Sequence, residues 1–187
     1  MRWAIATLAA LAVGTAGGRA QERTLVGEHV ESGGFGAPVV KFTEVLGDFA
    51  VLAGGRGAWI IDHTIMIGGG GYGLVNDVYD FRLIPAPRIQ FGYGGLELSV
   101  VAASNSVVHF SVMSLVGGGG ITMGAPGPTD AVFVIEPQLN LVVNVTPYMR
   151  FAAGGGYRWV TDVDWYPLTD SDMSAWQASL ALKFGQF

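Results

Sequence analysis

The stretch "HFS" holds the two residue types that hydrolyse esters. His109 and Ser111 stand two apart. On an extended strand that spacing puts both side chains on one face. A histidine placed there could act as base to a serine nucleophile. A carboxylate would have to orient the histidine, and Glu97 and Glu136 are the candidates. Such a trio would suit a lipid hydrolase. The plainer expectation is a polar, hydrogen-bonded pair without chemistry.

A second group is acidic. "TDVDWYPLTDSDMS" carries Asp162, Asp164, Asp170 and Asp172. Clustered carboxylates are the ligands that calcium prefers, but the spacing lacks the glycine and terminal glutamate of an EF-hand. The plainer reading is a solvated acidic loop. "NDVYD", with Asn76, Asp77 and Asp80, is a weaker cluster of the same kind. The three histidines, His29, His63 and His109, are too scattered for a metal site. The "GGGG" runs have neither a following lysine nor a following helix, so they are not phosphate loops. No cofactor is expected.

The elements that must position these residues are strands. Half of the 187 residues are hydrophobic, 13% are charged, and the mean hydropathy is +0.42. Beyond residue 20 no run of about 18 apolar residues could form a spanning helix. Helical periodicity is absent, while Gly, β-branched and aromatic residues recur throughout. The remaining way to place such a chain in a membrane is a closed barrel, where every backbone group is paired.

The first residues, "MRWAIATLAALAVGTAGGRAQE", have a charged start, a short apolar core and small residues before Ala20. This is the pattern of a cleaved secretory signal over residues 1–20. A polar periplasmic segment is expected over 21–34 and a barrel over 35–187. Loss of the signal removes Arg2 and Arg19, so eight basic residues face fifteen acidic ones. With no basic cluster, nucleic acid is excluded as a partner. The chain has no cysteine, hence no lipoprotein anchor, no disulfide and no thiol chemistry.

Eight strands are expected, at about 36–46, 49–62, 63–75, 88–101, 107–122, 131–145, 148–160 and 175–187. Short connections ("IIDHT", "AASNSV", "NVTPY") alternate with longer ones ("NDVYDFRLIPAP", "GAPGPTD", "TDVDWYPLTDSDMS"). That alternation is the habit of outer-membrane barrels. Only the first connection, "LGD", departs from it. The expected fold is all-β, an eight-stranded antiparallel up-and-down transmembrane β-barrel with both termini in the periplasm.

Alternation along the strands sorts the side chains. Lys41, Arg56, Arg88, Glu97, His109, Glu136, Gln138, Asn140, Arg150, Arg158 and Lys183 are expected in a polar lumen, with Gln90, Asn144 and Gln177. Large apolar neighbours then face lipid. A soluble sandwich would reverse the two faces, but 13% charge is low for a soluble surface. Eight strands leave an interior that side chains just fill, so a plug is expected rather than a channel. Basic residues outnumber acidic ones there, which leaves room for a small anion or a water. Trp59, Tyr72, Tyr148, Trp159, Trp176 and Phe187 sit near strand ends, as interfacial girdles do.

The glycines fall near strand middles. In the fourth expected strand, polar residues change parity across Gly94–Gly95, which suggests a bulge. Curvature and register are one use of such glycines. A second is a smooth outer band, Gly55, Gly69, Gly71, Gly95 and Gly118, that a partner or a lipid could approach closely.

"GGRGAWIIDHTIMIGGGGYGLVND", "GYGGLELSV", "FVIEPQLNLVVNVTPYMRFAAGGGYRWV" and "SAWQASLALKFGQF" resemble a family of small, largely uncharacterised outer-membrane β-barrels of Gram-negative bacteria. The resemblance implies export, outer-membrane location and a barrel of about eight strands. It carries no catalytic residues. One departure is the C-terminus, where Phe184 is in phase with the lipid-facing residues and Phe187 is not. A shift at Gly185 would repair this. The expected role is non-enzymatic, structural or interactive, in contact with outer-membrane lipid and an envelope protein partner. A small-ligand-binding barrel and a hydrolase using His109 and Ser111 are the alternatives.

Overall fold

In the computed structural model, residues 32–61, 64–102, 106–124, 127 and 129–187 are described. The expected signal, the segment before residue 32, His29 and His63 lie outside them. Eight long strands are present: β1 (Ser32–Val45), β2 (Asp48–Ile61), β3 (Ile65–Leu74), β5 (Arg88–Ala102), β6 (Val108–Met123), β7 (Thr129–Thr146), β8 (Met149–Thr161) and β9 (Ala175–Gln186). A two-residue strand, β4 (Val78–Tyr79), and a single helical turn, α1 (Asp170–Met173), sit in the two long connections.

Each long strand pairs antiparallel with its neighbours in the order β3-β2-β1-β9-β8-β7-β6-β5. Pairing of β3 with β5 closes the ring, and β4 continues the line of β3 along β5. The first and last strands pair through contacts such as Val40 with Leu180. Closure leaves no open edge, which is the condition for strands to span a membrane.

Burial alternates residue by residue. In β1, Val39, Lys41, Thr43 and Val45 are buried while Pro38, Val40, Phe42 and Glu44 are exposed. In β7, Val134, Glu136, Gln138 and Asn140 are buried while Phe133, Ile135, Leu139 and Leu141 are exposed. Large apolar side chains therefore cover the outer wall and polar ones enter the lumen. A soluble barrel would do the reverse.

Four sequence expectations are corrected here. β5 keeps one register against β3 and β6 across Gly94–Gly95; the register shift in the wall lies at Asn144/Thr146 between β7 and β8. Arg88 and Gln90 consequently share the outward parity and are exposed, outside the lumen. They stand at the end of β5 nearest the long loops, and Arg88 pairs with Asp77 at 2.8 Å. Polarity there reflects solvent beyond the apolar belt. Register between β1 and β9 is also constant through Gly185. Phe187 turns inward and stacks on Phe35, with ring centroids 6.0 Å apart. Tyr72 is likewise buried in the lumen, whereas Trp59, Tyr148, Trp159 and Trp176 are exposed.

The glycines divide by face. A Cβ on inward Gly54, Gly68, Gly95 or Gly117 would meet backbone of the adjacent strand at 2.0–2.3 Å. Those positions have no room for a side chain. Outward Gly71, Gly73 and Gly118 have room, with nothing closer than 3.4 Å. Gly95 therefore leaves the expected outer band, and Gly94 takes its place.

Gly117→Ala is expected to lower stability by about 2 kcal/mol or more through overpacking. Gly73→Ala should be neutral or mildly stabilising, because it restricts the unfolded chain. Urea unfolding midpoints of the two refolded variants check the contrast. Equal effects would show that steric demand is not what sets the inner glycines.

Candidate functional site

The lumen is where the chemistry-bearing residues converge. Lys41 is 1% exposed and Glu136 is fully buried. The Lys41 ammonium donates to Glu136 Oε1 at 2.5 Å and to the Tyr93 hydroxyl at 3.3 Å. Tyr93 donates in turn to the second oxygen of Glu136. The ammonium also stands 3.3 Å from the centroid of the Tyr72 ring, a cation–π contact that stabilises a desolvated charge. Tyr72 donates to Glu97 Oε1 at 2.7 Å. These partners come from β1, β3, β5 and β7, so the network ties opposite walls.

Glycine makes the room. Gly70 faces inward on β3, and a Cβ there would lie 2.5 Å from Glu97 Oε1 and 2.9 Å from the Tyr72 hydroxyl. Gly154 does the same for the amides: its Cβ would meet Asn140 Oδ1 at 2.2 Å and Gln138 Nε2 at 2.4 Å. Gln138 donates to Asn140 and, at 2.5 Å, to Ser179 Oγ.

Arg158 occupies the lumen below the long loops. Its guanidinium donates to the carbonyls of Met173 (3.0 Å) and Glu44 (2.9 Å). It also lies 5.1 Å from the Phe91 ring centroid. Toward the opposite end, Arg56 donates to Met113 Sδ at 2.8 Å. Lys183 stands 4.8 Å from the Phe35 ring centroid, and half-buried Arg150 stands 4.0 Å from that of Phe187. Tyr72, Tyr93 and Thr43 are lumen residues that the alternation argument passed over. Tyrosine fits either face of a membrane strand, so its type alone gave no signal.

His109 and Ser111 share the inner face but do not form a catalytic set. His109 Nδ1 lies 3.4 Å from the Ser106 carbonyl oxygen, and among the described residues its Nε2 has no partner. Ser111 Oγ has none either. Glu136 is held by Lys41 and Tyr93, and Glu97 by Tyr72. Both candidate carboxylates are engaged elsewhere, and both members of the pair are buried.

The acidic loop is built as a cap. Asp172 accepts from Thr169 N at 2.8 Å and from Arg82 at 3.2 Å, and Asp170 accepts from Val163 N at 3.0 Å. Asp130 accepts from Asp164 N at 2.9 Å. Leu46 N donates to the Asp172 carbonyl at 2.8 Å, so the loop lies over the β1–β2 turn. Met173 and Leu168 drop into the core beneath it. Among the described residues no three acidic or histidine side chains converge as metal ligands.

Solved structures share this architecture. Neisserial surface protein A aligns with a TM-score of 0.62 over 84% of this chain and 99% of its own, at 10% identity. The N-terminal β-barrel domain of Pseudomonas aeruginosa OprF aligns with a TM-score of 0.55 over 81% and 96%, at 11% identity. Ail, the attachment invasion locus protein of Yersinia pestis, gives 0.53 over 82% and 97%, at 10% identity. The fold is that of the small outer-membrane barrels. No protein-family model matches the chain, and no curated protein sequence does.

Two tests follow from the site. Lys41→Met leaves Glu136 without its cation and should cost about 3–5 kcal/mol, the range for breaking a buried pair. Adding Glu136→Gln to it should recover much of that loss, because no unpaired charge remains. A double-mutant cycle in urea checks this.

The second test concerns the loops. Arg82 donates to Asp80 from Nε at 2.8 Å and from its second terminal nitrogen at 3.0 Å. The Arg82 hydrogen bonds hold the Asp80 carboxyl below its ordinary value, and the same contacts raise Arg82. A depressed carboxyl stabilises above its unfolded value, about 3.9, and loses that contribution as pH falls through the folded value. Pepsin should therefore spare loop 75–87 near pH 4 and nick it at lower pH. Arg82→Ala should be nicked at both.

Proposed function

We propose that this chain is a non-enzymatic outer-membrane barrel whose lumen is closed and whose role is structural or interactive. The observation that carries the reading is the lumen itself. Lys41, Glu136, Tyr93, Tyr72 and Glu97 bridge the walls at mid-height. Met173 with Arg158 fills the loop end, and Phe35 with Phe187 fills the turn end. Among the described residues these side chains obstruct the interior, and the cavity left between them is too small for an organic ligand. His109 and Ser111 are out of reach of a lipid substrate.

With the interior closed, contact falls to the outer wall and the loops. Apolar side chains such as Leu96, Val112, Ile135, Leu139 and Leu182 suit lipid acyl chains. One sector differs. Gly55, Gly71, Gly94 and Gly118 pair in register across β2, β3, β5 and β6. Beside them, Gly73, Gly92 and Gly120 form a parallel row. Four strands at about 4.8 Å spacing make this flat face roughly 15–20 Å wide. Crowding does not demand glycine at Gly55, Gly71, Gly73, Gly92 or Gly118, although it does at Gly94, so close approach of a neighbouring membrane protein is the reading we favour for it.

Two measurements test the proposal. In planar bilayers the refolded barrel should give no stable unitary conductance, and a sustained conductance would overturn the closed lumen. Gly71→Leu with Gly118→Leu should fold and fractionate with the outer membrane while losing any partner that the parent chain cross-links in native membranes. Unchanged cross-linking would remove the glycine face from the proposal.

A further inference from the structure

The turn-end half of the lumen is unbalanced in charge. Four buried cations, Lys41, Arg56, Arg158 and Lys183, share the barrel interior with two buried carboxylates, Glu97 and Glu136. Lys41 is paired with Glu136. Arg158 donates from Nε and one terminal nitrogen to two backbone carbonyls at the loop end, away from this half, and lies against an aromatic ring. That leaves Arg56 and Lys183 with Glu97, whose Oε1 accepts from Tyr72. Among the described residues neither cation has a carboxylate within 4.0 Å.

These same side chains surround a small cavity. Arg56, Glu97, Ser99, Ser111, Asn140 and Lys183 line it, with Phe35, Ala58, Met66 and Met113 as its apolar walls. Its free space, about 10 Å³ for the centre of a water-sized particle, is enough for one small particle, a water or a monoatomic ion. Two lining residues bring donors that no atom of the described residues accepts: Arg56 Nε and Ser111 Oγ. Both residues are more than nine-tenths buried. A water would satisfy the donors but would leave the excess charge in place. An unpaired buried charge is costly, and a monoatomic anion answers both demands at once.

We propose that this cavity binds a single small monovalent anion of the halide class, held by Arg56, Lys183 and the Ser111 hydroxyl. Asn140 completes the lining, and Glu97 on the same wall excludes divalent anions by repulsion. Lys183 and half-buried Arg150, beside the Phe35–Phe187 pair, make the turn-end mouth cationic. Such a mouth concentrates anions at the entrance. The site joins β2, β6 and β9, so its ion acts as a removable staple between non-adjacent strands.

The test uses the full barrel, refolded in lipid vesicles. Urea unfolding midpoints are measured in sodium chloride, bromide, gluconate and sulfate at matched ionic strength and pH. Chloride and bromide should raise the midpoint saturably, as linkage requires of a ligand bound only when folded; gluconate and sulfate should not. Lys183→Met should weaken the apparent halide affinity at least tenfold, and Ser111→Ala several-fold. A midpoint indifferent to anion identity would overturn the proposal, as would a halide effect unchanged in both variants. If Lys183→Met does not fold, bromide-soaked crystals of the parent chain decide. An anomalous peak among Arg56, Ser111 and Lys183 is required, and its absence overturns the site.

Discussion

Eight strands enclose a space only as wide as the side chains that fill it. In this barrel the filling includes full charges. The Lys41–Glu136 pair with Tyr93 is the contact on which the rest depends. Both side chains are buried, and the pair joins β1 to β7 across the interior. The surrounding wall has to leave volume for it. That demand reaches into the sequence as glycine: Gly70 gives space to Glu97 and Tyr72, and Gly154 gives space to Gln138 and Asn140.

The two faces of a glycine run thus answer to different forces. Within "IGGGGYG", Gly68 and Gly70 face the lumen, where a side chain would strike the next strand or the plug. Gly69 and Gly71 face outward, where the fit is looser. In a strand, glycine costs backbone entropy and contributes no packing. On the inner face, crowding explains that cost. On the outer face a smooth surface is what the cost obtains, and the register of β2, β3, β5 and β6 aligns that surface into one sector.

The loops close the barrel by the same logic of satisfied polar groups. Asp80, Arg82, Asp170 and Asp172 form a hydrogen-bonded roof. Arg158 joins that roof to the wall through backbone carbonyls, and Met173 seals it from below. A cluster of carboxylates that looks like a set of metal ligands is here the frame of a cap. At the other end Phe187, out of phase with the outward residues, turns inward and stacks on Phe35.

Strand number, the direction in which most side chains point and the apolar outer belt are all written in the alternation, as in β7 from Val134 to Asn140. A period of two and a low charge density suffice for these, because lipid and lumen impose opposite solvents on alternate residues. The same rule misplaces Arg88 and Gln90, which lie on the outward face at a strand end beyond the apolar belt, and it is silent on Tyr72 and Tyr93. Partner choice is not local either. Lys41 meets Glu136 across 95 residues, and Tyr93 meets Glu136 across 43. Only closure of the ring, with its tilt and register, decides which inward groups face one another. The sequence by itself determines that the inside is polar and full; the tertiary structure decides that it is locked at Glu136 and left unbalanced at Arg56 and Lys183.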